Sequence, residues 1–279
     1  MAEMTDIIYK ADGPVAVITM NRPRYHNAQS YPMLDGLDQA LTKAMQDPDI
    51  RVAIVTGAGP HFSSGHDLGT PEQVATREER KIPAEGLDYY DSFRLYNFDY
   101  NLKWRTMPKP TIAMVRGYCI FGGWMIASSM DLVFADETAQ FLSSQFEYFS
   151  LPWDVGPRKA KELIFESRFI DGEEAMRYGF VNRVYGAGDL ERETIGYAKR
   201  VAQTGSYGLR MSKIAVNHAQ DIMGYTTALE AGFADYMTSA RTRTSGPPPR
   251  VPGARRQLGG VDLALRGERG ERPGQPNET

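Results

Sequence analysis

Apolar positions along the first 240 residues switch repeatedly between two periods. Short β-branched runs at Val15–Met20, Val52–Thr56, Thr111–Val115 and Asp131–Ala135 have the length and make-up of buried strands. Between the first two, Leu34, Leu37, Leu41 and Met45 recur every three or four residues, which predicts a helix over Pro32–Gln46 with Ser30 as its N-cap. The second run ends at the breaker Gly57-Ala58-Gly59-Pro60. The third leads through Gly117 to Gly122 and Gly123, which open an apolar helix over Trp124–Met130. Strands separated by helices predict crossover connections and a largely parallel sheet buried on both faces. Residues 68–106 are more polar, carry Tyr89, Tyr90, Phe93, Tyr96 and Phe98, and read as a mobile loop and helix region on the sheet's rim. From Glu191 to Ser239 the pattern is wholly helical, with Ile195, Ala198, Val201 and then Leu229, Phe233, Tyr236 on apolar faces.

After residue 240 the text changes to Pro, Gly and Arg with almost no aromatic residue, a composition that buries too little apolar surface to offset its ordering entropy. The expected organisation is a core over 1–190, a helical region over 191–240 and a flexible tail over 241–279, with at most a short helix at Val261–Leu265. Of the 279 residues 42% are hydrophobic and 24% charged, ordinary globular values, and the net charge of -3 gives no reason to expect nucleic acid as a partner. Cys119 is the only cysteine, so no internal disulfide forms. No apolar run reaches membrane-spanning length and no signal-like start is present, so no membrane association and a cytoplasmic location are expected.

Two glycine-containing stretches carry the candidate chemistry. His61-Phe62-Ser63-Ser64-Gly65-His66-Asp67-Leu68 follows the second strand, and Gly65 is free to adopt dihedrals that turn an N–H outward. Gly117-Tyr118-Cys119-Ile120-Phe121-Gly122-Gly123-Trp124 leads into a helix whose first N–H groups carry partial positive charge. Donors at His66 and Gly122 converging on one oxygen would stabilise an oxyanion, each by about 3–4 kcal/mol. The alternative is that these glycines only permit tight turns and close packing.

The order of five segments decides between these readings. They are Asn21-Arg22-Pro23 through Asn27-Ala28; Phe62–Leu68; Lys109-Pro110-Thr111-Ile112-Ala113 running through Gly122-Gly123; Asp131 to Ala139-Gln140-Phe141; and Leu209-Arg210-Met211-Ser212-Lys213. In this order, residues 5–240 resemble the crotonase, or enoyl-CoA hydratase/isomerase, family. The resemblance implies an α/β fold, a crotonase-like ββα spiral with a helical C-terminal trimerisation region, and a homotrimer or dimer of trimers. It implies an acyl-CoA substrate, with coenzyme A entering as part of that substrate and no tightly bound cofactor; His26 and His218 have no acidic partner at metal-ligand spacing, so no metal is expected. It assigns the oxyanion hole to the N–H groups of His66 and Gly122, and runs the CoA past Arg24, His26, Ala28, Ser64, Asp67 and Leu68. Arg24 would lie near the phosphates and the Ala28 backbone near the adenine; a solvated surface charge is the other reading of Arg24.

Hydratases of this family use two glutamates, for which positioned acid–base groups are a chemical necessity. Three residues after Gly122 this chain has Met125, and four after Phe141 it has Gln145, neither of which transfers a proton near neutral pH. Two carboxylates stand nearby. Glu147 lies two positions beyond Gln145 and shares its side of a strand. Asp154, in Leu151-Pro152-Trp153-Asp154-Val155-Gly156, sits in a string similar to one where isomerases of the family keep their acting carboxylate. Its alternative role is an N-cap, since Pro157 and a basic helix follow. The His66 side chain, where most relatives have alanine, is either a participant near the thioester or a hydrogen-bonded spacer. The expected activity is enolate stabilisation with proton transfer, as in double-bond isomerisation; hydrolysis of a thioester or C–C bond, and acyl-CoA binding without catalysis, are the alternatives.

Overall fold

The computed structural model describes residues 6–143 and 148–242, of which 240–242 as backbone only. Strands β1 (Ile7–Asp12) and β2 (Val15–Met20) form an antiparallel hairpin. Helix α1 (Tyr31–Gln46) then crosses to β3 (Val52–Gly57), which pairs parallel with β2 from Val15↔Val52 to Met20↔Gly57. The Ser30 hydroxyl accepts a hydrogen bond from the Met33 N–H at 3.3 Å, so the expected cap is in place.

Residues 68–106, read as a loop and helix region, hold more helix than loop. The helices are α2 (Pro71–Glu79), α3 (Leu87–Arg94) and α4 (Tyr100–Arg105), with a π-helical turn at Leu95–Asp99 between the last two. The Thr70 hydroxyl caps α2, and burial of Tyr96 and Phe98 holds the later helices against the core.

Strand β4 (Thr111–Val115) lies parallel to β3 and is followed by β5 (Tyr118–Ile120), α5 (Gly122–Ser128), β6 (Leu132–Asp136) and β7 (Gln140–Leu142). Helices α6 (Leu151–Asp154) and α7 (Pro157–Glu166) precede β8 (Ile170–Asp171), α8 (Gly172–Arg177) and β9 (Arg183–Tyr185). The main sheet has six strands in the order β1-β2-β3-β4-β6-β9, parallel from β2 onward, and β5-β7-β8 form a second, smaller sheet. These repeated ββα turns are the predicted α/β spiral.

The continuous apolar text of β3 and β4 has a simple cause, since both faces are covered. Ala53, Val55, Ala113 and Val115 face α1 and its neighbours. Val52, Ile54, Ile112 and Met114 face Leu190, Ala198 and Ala202, of and just after α9 (Leu190–Val201). The predicted helical stretch is thus three helices, α9 on the sheet, then α10 (Ser206–Ile222) and α11 (Tyr225–Thr242). The tail expected to be flexible, and the short helix at Val261–Leu265, lie outside the described residues.

One buried ion pair fixes the first glycine loop to the start of the chain. The Arg22 guanidinium donates to Asp67 Oδ2 at 2.8 Å, to the Ala28 carbonyl at 2.6 Å and to Thr70 Oγ1 at 3.1 Å. Asp67 Oδ1 accepts from the Gly69 and Thr70 N–H groups, at 3.1 and 2.8 Å. Burial pushes the Asp67 carboxyl up, but the bonds from Thr70, Arg22 and Gly69 outweigh it and hold the group below the usual carboxylate range. Replacing Asp67 with Ala leaves Arg22 charged and buried with only the more distant Asp6 and Glu72, at 3.7 and 3.9 Å, to face it, and urea unfolding should show a loss of about 3 kcal/mol. Because the folded pKa is depressed, the native contribution of Asp67 is present above the ordinary carboxylate pKa and is lost as pH falls through the folded value. Ser30→Ala should cost about 1 kcal/mol in the same measurement, through loss of its cap.

Candidate active site

Two backbone segments meet at unusually short range. Ser63 bridges in parallel to Cys119 on β5, donating its N–H to the Tyr118 carbonyl at 2.9 Å and accepting the Ile120 N–H at 3.0 Å. A Cβ on Gly65 would fall 2.7 Å from the Ile120 carbonyl oxygen and 3.3 Å from the Gly122 nitrogen, and one on Gly123 would fall 2.8 Å from the Ser63 carbonyl oxygen. Glycine is required at both positions for this approach, so the tight-packing reading of these residues is correct as far as it goes.

The same geometry leaves two donors free. The Gln29 N–H bonds the Gly65 carbonyl at 2.8 Å, and the Asp67 N–H bonds the Gln29 carbonyl at 3.2 Å. In that parallel bridge the His66 N–H points away from Gln29. Gly122 is the first residue of α5, entered from Phe121 in the rare conformation φ 48°, ψ −108°, and its N–H has no carbonyl one turn earlier in the helix to bond. Among the described residues neither N–H donates a hydrogen bond within the protein. His66 and Gly122 are adjacent in space: a Cβ on Gly122 would meet His66 Cε1 at 2.7 Å and Nδ1 at 2.8 Å.

Around the His66 ring lies an aromatic cluster. Nε2 is 2.7 Å from the Tyr148 hydroxyl, and burial pushes the imidazole pKa down to about 4. Tyr148 packs on Tyr236 of α11, ring centroids 4.4 Å apart, and Phe93 of α3 stacks on the same Tyr236 at 5.6 Å. Arg94 and Glu230 tie these two helices with a two-bond fork at 2.6 and 2.8 Å. Met125 is buried in this cluster with Phe98, Phe149 and Phe233.

Asp154 lies on another flank of α5. Its Oδ2 accepts from Ser128 Oγ at 2.7 Å, Trp124 Nε1 at 3.0 Å and Ser150 Oγ at 3.0 Å. Desolvation raises its pKa to about 6 despite those three bonds. The N-cap alternative fails, because Gly156 occupies the cap position of α7 and Asp154 ends α6. Ser128 is six residues beyond Gly122, or about 9 Å along the helix axis. The carboxyl borders a cavity of about 240 Å³ shared with Ser128, Trp153, Asn182, Gln220 and Tyr225, which His66 and Gly122 do not line.

The remaining expected residues scatter in role. Arg24 is exposed, paired with Glu72 and laid over the Tyr25 ring. His26, at φ 49°, meets His61 edge-on with centroids 4.6 Å apart. Ser64 donates to the Tyr25 carbonyl at 3.3 Å. Ala28 is buried, and the Asp67 carboxylate is wholly engaged by Arg22, Thr70 and Gly69, leaving it no free acceptor for a ligand. Leu68 is 95% exposed. Glu147, like Gln145, lies outside the described residues. Sequence reasoning missed Gln29 and Tyr148, which lie far from both glycine motifs or carry no pattern of their own. Among the described residues no group of three or more potential ligands could hold a metal, and no helix is long and apolar enough to cross a membrane.

Comparison with known proteins agrees with this architecture. Residues 10–245 match the Enoyl-CoA hydratase/isomerase family. A Mycobacterium tuberculosis protein bearing the name enoyl-CoA hydratase EchA13 is 35% identical over 247 residues, covering 80% of this chain and 76% of that protein. The crystal structure of a probable enoyl-CoA hydratase from Mycobacterium smegmatis superposes with a TM-score of 0.77 at 37% identity, over 87% of this chain and 98% of that one. An enoyl-CoA hydratase/isomerase from Xanthobacter autotrophicus Py2 gives a TM-score of 0.76 at 31% identity, over 88% and 89% of the two chains. With the ββα spiral, the paired glycine segments and this match over most of its length, the chain belongs to the enoyl-CoA hydratase/isomerase, or crotonase, family.

Proposed function

We propose that this protein acts on acyl-CoA thioesters, polarising the carbonyl and moving a proton, as in shifting a double bond along the acyl chain. The observation that carries this reading is the pair of N–H groups at His66 and Gly122, without a partner among the described residues and held side by side by backbone contacts. A thioester oxygen bonded to both gains most as it becomes an enolate oxyanion, because the donors are aimed before charge develops. Coenzyme A enters as part of the substrate, and the chemistry asks for no other cofactor. The outward apolar residues of α10, Tyr207, Val216 and Ile222 among them, offer a surface for self-association, in keeping with the homotrimer or dimer of trimers of this reading.

Asp154 is the carboxylate of this reading. A pKa near 6 leaves it largely ionised at neutral pH yet able to hold a proton between two steps. A shift from the 3- to the 2-position takes a proton from the α-carbon and returns one to the γ-carbon, and Asp154, held against α5 by Trp124 and Ser128, is the group assigned both transfers. Hydration is disfavoured, since Met125, three residues after Gly122 on α5, brings no acid or base to its place in the wall.

The test is conversion of a 3-enoyl-CoA to the conjugated 2-enoyl thioester, followed by absorbance. Asp154→Asn should lower kcat by about 10²–10⁴-fold. A base must be ionised to act, so kcat/KM should rise with pH through about 6 and then level. The residual rate of Asp154→Asn should lack that limb. Turnover unchanged by the substitution removes Asp154 from the mechanism. Release of free CoA would favour hydrolysis, and thioester binding without α-proton exchange in deuterated water would favour a non-catalytic binder.

A further inference from the structure

The reading above uses only the backbone of His66, yet its side chain is constrained from two sides. Nε2 lies 2.7 Å from the Tyr148 hydroxyl. Across the ring, Cε1 and Nδ1 fill the space that a Cβ on Gly122 would need. Nδ1 is buried and has no hydrogen-bond partner among the described residues. A buried polar atom left unpaired costs about 1–3 kcal/mol. A ring nitrogen in that state lies against the residue that supplies one N–H donor and belongs to the residue that supplies the other.

We propose that the His66 imidazole is a further catalytic group, its Nδ1–H acting as a third hydrogen-bond donor to the thioester oxygen beside the N–H groups of His66 and Gly122. The inference rests on the acyl-CoA reading and deepens it. Burial keeps the ring neutral, with its pKa down at about 4, so it carries a single N–H. When the Tyr148 hydroxyl donates to Nε2, that N–H is on Nδ1 and faces Gly122. Tyr148 is the positioning residue, its ring lodged against Tyr236 and Phe93 so that the hydroxyl is directed at Nε2. A neutral imidazole is a weak acid, so it polarises the carbonyl by hydrogen bonding and keeps its proton, while the enolate charge stays on the substrate oxygen.

Polarisation is read directly from a chromophoric thioester such as cinnamoyl-CoA, whose absorbance moves to longer wavelength when its carbonyl is pulled on. Wild-type protein should red-shift the bound ligand, and His66→Ala should lose most of that shift while still binding the CoA. α-Proton exchange of a saturated acyl-CoA in deuterated water should fall about 10²-fold. His66→Gln, which restores an N–H donor, should recover part of the shift. Tyr148→Phe, which leaves His66 in place but removes the hydroxyl that sets its tautomer, should show an intermediate shift and carries the test if His66→Ala does not fold. A full wild-type shift in both His66→Ala and Tyr148→Phe would overturn the proposal and leave the acyl-CoA reading standing. Absence of both binding and shift in the wild-type protein would overturn that reading and the proposal together.

Discussion

The site depends on two stretches of main chain lying in contact with no side chain between them. Gly65 sits under the Ile120 carbonyl and Gly123 under the Ser63 carbonyl, so a single methyl group at either position would drive the segments apart. Short bonds between Ser63, Tyr118 and Ile120 hold them together, and the bridge from Gln29 turns the His66 N–H out of the protein's own bonding pattern. The larger architecture serves this contact. The parallel sheet delivers β3 and β4 side by side, and the segments that leave their ends are the ones that meet. Most of the apolar sequence is therefore engaged in placing a few polar backbone atoms.

Helix α5 joins the candidate groups along its length. Its first N–H is one donor, the cluster that contains Met125 borders the His66–Tyr148 pair, and Trp124 and Ser128 hold Asp154 on another flank. Burial acts on both titratable groups and moves them in opposite directions, since it disfavours the charged form of each. The imidazole goes down and stays neutral, whereas the carboxyl goes up toward neutrality of solution. One physical cause thus leaves a neutral imidazole near one end of the helix and a carboxyl that titrates near 6 on its flank.

Much of this could be read from the amino-acid text, for identifiable reasons. Strands such as Val52–Gly57 are short, β-branched and bounded by glycine, and Ser30 precedes an amphipathic run, so local signals and final structure agree. The two glycine segments were visible because glycine is the residue that permits close approach. Residues 68–106 were harder, since α3 and α4 owe their stability to packing of Phe98 and Tyr96 against distant residues and have little periodicity of their own. The direction of the Asp154 side chain was beyond local reasoning as well. Pro157 correctly announced a helix, but Gly156 took the cap and freed the carboxylate to turn toward α5. Partnerships such as His66 with Tyr148, and Arg22 with Asp67, join positions far apart in the chain and leave no mark in local pattern.

The Arg22–Asp67 pair has a consequence for the cost of binding. A loop that must be ordered by its ligand gives up part of the interaction energy as lost conformational freedom. Here Arg22 clamps Asp67, the Ala28 carbonyl and Thr70 at once, and Asp67 in turn pins Gly69 and Thr70. The residues after the His66 donor are immobilised before any ligand arrives, by charges that are already neutralised within the protein. The entropy of ordering that loop is met during folding, in the stability of the empty protein, so that a ligand bonding the His66 N–H, as the proposed function has it, would give up little of its interaction energy there.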